Sequence, residues 1–119
     1  MNESPGGRVA VISDIHANLE ALSRVLDDID ALGIMEIVSL GDVIGYGPDP
    51  QACADILRQR GIPSTLGNHE QGLRPGQCPT DMNPVARDAL SRTACMLDED
   101  TAASLRALPR SLERGGCHF

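Results

Sequence analysis

Three short motifs hold the residues best suited to chemistry: Asp14-Ile15-His16, Gly41-Asp42 and Gly67-Asn68-His69. Together they offer two carboxylates, an amide and two imidazoles. Carboxylate oxygens and imidazole nitrogens are what borderline divalent cations such as zinc, manganese and iron accept, and one carboxylate can bridge two cations. Taken singly, each residue has a plain structural use. Asp14 or Asp42 could cap a turn, Asn68 could take a left-handed backbone position, and either histidine could lie on the surface. Three such motifs in succession within 119 residues are hard to assign to chance.

The elements around these motifs explain how they could meet. Arg8 to Ser13 is a β-branched apolar run, which suits a strand buried on both faces of a parallel sheet. Asn18 then caps a helix with apolar positions Leu19, Leu22, Leu26, Ile29 and Leu32, closed by Gly33. Glu36 to Leu40 reads as a second strand, followed by a glycine-rich loop to Asp49. A helix then runs from Pro50 to near Arg60, with Asp49 as its cap and Gly61 as its stop. Pro63 to Leu66 reads as a third strand, with Gly67 opening the next loop. Each motif therefore stands at the carboxyl end of a parallel strand, where α/β sheets place their ligand crevice. Downstream, Gln71 to Asn83 reads as a long surface loop. Helices are expected from Asn83-Pro84 to about Met96 and from Asp98 to Leu108, and a hairpin around Gly115-Gly116.

At these residues the sequence resembles the calcineurin-like metallophosphoesterase superfamily, and Gly41-Asp42-Val43-Ile44-Gly45-Tyr46-Gly47-Pro48-Asp49-Pro50 looks like its compact bacterial branch. The likeness runs from about Val9 to the last residue. It implies an α/β fold, the N-terminal half of a metallophosphoesterase-type α/β/β/α sandwich with parallel strands in βαβ units. It also implies one truncated domain over residues 1–119, because the family's later His-Gly and G-H-x-H motifs are not in this sequence. By resemblance Asp14, His16, Asp42 and Asn68 are metal ligands for two divalent ions, manganese, iron, zinc or nickel, with Asp42 bridging them. His69 is the catalytic group that contacts phosphate and assists the leaving oxygen. The implied activity is hydrolysis of a phosphate mono- or diester, on a small molecule or a phosphoprotein. A catalytically incomplete fragment or an interaction module is the alternative, as in the retromer scaffold subunit of the superfamily. Glu70 follows G-N-H where the branch usually has Asp, and reads as a minor departure.

Bulk composition fits this picture. A formal charge of -7 argues against non-specific nucleic-acid binding and against an anionic membrane surface, so cations for an anionic substrate would have to come from metals. With Trp absent and single Tyr and Phe residues, the core must be aliphatic. Met1 to Gly7 lacks the pattern of a secretory signal, and no apolar run has the length of a membrane span. The four dispersed cysteines read as reduced, mostly buried thiols of a cytoplasmic protein. His118 reads as a strand or terminal residue, not a ligand. The glycines near Asp42 lack the order and the following Lys-Ser/Thr of a nucleotide-binding loop. Tyr46 either contacts substrate or packs over the site. A half-fold should leave apolar sheet surface open, so a homo-oligomer, strand exchange or poor solubility is expected of the isolated chain.

Overall fold

The computed structural model describes residues 7–76 and 81–119. Met1 to Gly6, and the part of the expected surface loop that holds Cys78, lie outside them.

Two parallel strands, β1 (Val9–Ile12) and β2 (Glu36–Ser39), pair in register from Val9 opposite Glu36 to Ile12 opposite Ser39. Helix α1 (Leu19–Ala31) joins them in the expected βαβ unit. Its start is fixed by Asn18, whose Oδ1 accepts the Ala21 N–H at 3.1 Å, and its buried stripe is Leu22, Leu26 and Ile29. The burial on both faces expected of β1 is not found there; it occurs in β2, where Ile37, Val38 and Ser39 are buried. Among the described residues β1 pairs with β2 alone, so part of its surface stays open and Val11 is 47% exposed.

Helix α2 (Pro50–Gln59) begins at the expected proline, although the Asp49 side chain makes no capping bond. The third strand shrinks to one parallel bridge between Ser39 and Ser64. Two backbone bonds make that bridge, Ser39 N–H to the Pro63 carbonyl at 2.9 Å and Thr65 N–H to the Ser39 carbonyl at 3.0 Å. Leu66 N–H donates instead to the Pro109 carbonyl at 2.7 Å. A helical turn, α3 (Asn68–Gln71), replaces the loop expected after Gly67.

Helices α4 (Pro84–Met96) and α5 (Glu99–Arg106) follow, capped by Asn83 Oδ1 on Ala86 N–H at 2.8 Å and by Asp98 Oδ1 on Thr101 N–H at 2.7 Å. The hairpin turns at Gly115-Gly116 between β3 (Glu113–Arg114) and β4 (Cys117–His118), where exposed His118 meets Glu113 at 3.1 Å. The core is aliphatic as expected, with Leu22, Leu26, Ile37, Val43, Ile44, Leu57 and Leu90 in one cluster. Met82, assigned from sequence to a surface loop, is buried in that cluster. Cys53 is buried too, and burial, aided by the Asp49 and Glu20 charges, pushes its thiol up to about 11. Cys95 and Cys117 are exposed, which corrects the expectation of mostly buried thiols. No helix among the described residues is long and apolar enough to cross a membrane.

Candidate metal centre

The loops that leave β1 and β2 are bent in an unusual way. Asp14, His16, Ala17, Asp42 and Tyr46 all have φ between +47° and +65°, a left-handed region that costs side-chain-bearing residues of order 1–3 kcal/mol each. The neighbouring loop holds them there. Asp14 N–H donates to Gly41 O (3.2 Å), His16 N–H to Asp42 O (2.9 Å) and Ala17 N–H to Val43 O (2.8 Å), while Gly47 N–H returns to His16 O (3.0 Å). The two strand ends thus form one zipped unit.

Their side chains converge as the sequence suggested. One ligand atom from each of Asp14, His16 and Asp42 lies within 4.8 Å of the others. His16 Nδ1 is 3.0 Å from the Ile44 carbonyl, which can only accept, so that nitrogen carries the proton. Its Nε2 is left to face Asp14 Oδ1 at 3.3 Å. Two lone-pair atoms at that distance are reconciled by a cation between them, either a proton or a metal. Asn68 packs against the same cluster: with its amide nitrogen turned toward Asp42 it donates to the two carboxylate oxygens at 3.0 and 3.1 Å. The donor set of two carboxylates and an imidazole nitrogen fits a divalent cation.

His69 lies beside this cluster. Its ring centroid is 4.7 Å from that of His16 and 5.1 Å from that of Tyr46, and its backbone N–H donates to Asp42 Oδ1 at 3.1 Å. The ring presses against Gly45, where any Cβ would run into it. His69 is 4% exposed, and its Nδ1 is buried without a hydrogen-bond partner. Burial holds this imidazole below the usual histidine range; Asp42 and Asp14 push it up and His16 pushes it down. The net push is downward and favours the uncharged ring. An orphaned buried polar atom at a site rim is a group still waiting for a partner.

Sequence reasoning missed Glu70. It is fully buried, and its Oε1 accepts from the N–H groups of Asp42 (2.8 Å) and Gly67 (3.0 Å), while its Oε2 accepts from Val43 (3.0 Å) and Ile44 (3.4 Å). Burial pushes this carboxyl up, and the backbone donors pull it back. All four partners are donors, a set only an ionised carboxylate can satisfy. Glu70 therefore ties the Asp42 loop to the Gly67 turn, and its identity is not a minor matter. The available signal was a Glu three residues after a candidate helix cap, a position that reaches back to the cap N–H.

With this geometry in view, the likeness to known proteins is specific. The calcineurin-like phosphoesterase family profile matches residues 7–106. A metallophosphoesterase from Sphaerobacter thermophilus superposes with TM-score 0.69 at 38% identity, over 89% of this chain and 43% of that one. An uncharacterized protein of Methanocaldococcus jannaschii is 38% identical over 105 residues, 88% of this chain and 43% of that protein. Serine/threonine-protein phosphatase 1 of Salmonella typhimurium is 36% identical over 64 residues, 53% of this chain and 30% of that protein. The chain belongs to the calcineurin-like phosphoesterase family. It spans less than half the length of these relatives.

Proposed function

We propose that this chain supplies the first part of a two-cation phosphoesterase centre, in which Asp14, His16, Asp42 and Asn68 hold the metals and His69 meets the phosphoryl group of a phosphate mono- or diester. The convergence of Asp14, His16 and Asp42 ligand atoms within 4.8 Å carries the reading. When bound, the cations would polarise the phosphoryl oxygens and lower the pKa of the attacking water. The chain's own residues do the rest. The Ile44 carbonyl fixes the His16 tautomer so that Nε2 points at the site. Asp42 holds the turn that carries His69 through the His69 N–H. A phosphoryl dianion opposite neutral His69 would raise its affinity for a proton, which it could then give to the leaving oxygen. The unpaired thiols among the described residues are in keeping with a cytoplasmic setting.

Manganese titration by calorimetry, with hydrolysis of 4-nitrophenyl phosphate and bis(4-nitrophenyl) phosphate, tests this reading. Asp42→Asn should weaken manganese binding at least about tenfold, whereas His69→Asn should keep it within about twofold and slow any turnover by about 100-fold or more. No manganese binding by the native chain would sink the proposal in favour of the interaction-module reading. Equal loss of metal in both variants would remove the catalytic role of His69.

A further inference from the structure

An open groove of about 410 Å³ adjoins the metal cluster, with Tyr46 and Pro48 on one wall and α4 on the other. Helix α4 has two faces. Ala86 and Leu90 turn inward and are buried, Thr93 is buried at the groove floor, and Val85, Asp88, Arg92 and Met96, at matching helical spacing, line the groove. Val85 is 71% exposed and Met96 49%, so this face carries exposed apolar surface. Tyr46 links the groove to the chemistry. Its ring lies 5.0 Å from that of His16 and 5.1 Å from that of His69, yet the residue is 51% exposed. It also occupies a left-handed backbone position, strain of a kind that gathers at ligand sites.

We propose that this groove is the subsite for the alcohol portion of the phosphate ester, and that it takes a planar aromatic group laid against Tyr46 between Pro48 and the Val85–Met96 face. The inference rests on the phosphoesterase reading and adds a substrate class to it. Its volume is in the range of small-molecule sites. Half-exposed Tyr46 offers aromatic surface, and Pro48, Val85 and Met96 add aliphatic and thioether surface beside the Asp88–Arg92 pair. The charged groups bring no net charge to the groove, because Arg92 Nη2 pairs with Asp88 Oδ2 at 3.1 Å. An aryl or base-bearing small ester suits this lining better than a polyanionic tail or an acidic phosphopeptide.

Phenylphosphonate and methylphosphonate test the assignment, since both present phosphoryl oxygens without an ester bond to cleave. Each is titrated into the manganese-loaded chain by calorimetry. Tyrosine emission is followed in parallel, and with no Trp and one Tyr it reports on Tyr46 alone. The expected result is binding of phenylphosphonate about tenfold tighter than methylphosphonate, with a change in Tyr46 emission. In a Val85→Ser/Met96→Ser double variant, which alters two exposed positions, that ratio should fall close to one. Equal affinities in the native chain overturn the subsite, as does a ratio that survives in the variant. Binding of neither phosphonate overturns the phosphoesterase reading as well, so the two failures are told apart.

Discussion

Residues 14–17 and 42–46 bend through five left-handed non-glycine positions, whereas from Pro84 to Phe119 only Gly115 and Gly116 do so. The same contrast runs through the bonds. In the crevice, Glu70 reaches back 26 to 28 residues to the backbone of Asp42, Val43 and Ile44. In the C-terminal helices, Asn83 and Asp98 cap the N–H three residues on, and Arg92 pairs with Asp88 one turn away. Local bonds choose conformations the backbone already favours. Long-range buried bonds can hold conformations it does not, which is how strained ligand residues persist.

The largest test of that contrast is removal of Glu70. Glu70→Ala would leave the buried N–H groups of Val43 and Ile44 and the half-buried ones of Asp42 and Gly67 without acceptors, and should cost about 3–5 kcal/mol in urea unfolding, with a loss of manganese affinity. Glu70→Gln should fall between, because its amide oxygen can serve one pair of donors while its NH₂ faces the other. A cost near zero for Glu70→Ala would mean that the crevice loops hold their shape without the buried carboxylate, and the contrast would fail.

A smaller effect is expected from Asn83→Ala, which deletes only the bond to Ala86 N–H at 2.8 Å. Loss of such a cap costs about 1 kcal/mol. Because the bond is confined to the first turn of α4, manganese affinity should not move. A cap variant that also weakened the metal would show that the helices and the crevice are one cooperative unit.

The same contrast explains what the sequence revealed. The starts of α1 and α4 were legible because Asn18 and Asn83 act on N–H groups three residues ahead, and the sites of Asp14, His16 and Asp42 because a strand end is a local feature. The third strand was misjudged because its pairing depends on β2, more than twenty residues earlier, where Ser39 alone bridges to it. Met82 was taken for a surface residue because the surrounding Gly and Pro say nothing of the hydrophobic cluster it joins. Glu70 could not be valued from sequence, since the donors that satisfy it come from a different loop. The downward push on His69 is likewise a product of burial that only the assembled crevice supplies.

The weakest expected effect separates span from burial. Arg60, at the end of α2, donates to Asp30 of α1 at 2.6 and 3.1 Å, a contact thirty residues long in sequence yet open to solvent. The Arg60 hydrogen bond, with a smaller contribution from its charge, holds the Asp30 carboxyl below its ordinary 3.8. A folded-state value below the unfolded one means that the stabilisation is present above the unfolded value and is lost as pH falls through the folded value. The difference in urea midpoint between the native chain and Asp30→Asn should therefore be small at pH 7 and smaller still in 1 M salt. It should vanish at a pH below the folded value of Asp30. If Asp30→Asn were as damaging as Glu70→Ala, sequence span alone would account for the strength of the crevice bonds. A small, salt-sensitive shift assigns that strength to burial, which is what the Glu70 carboxylate has and the Asp30 carboxylate lacks.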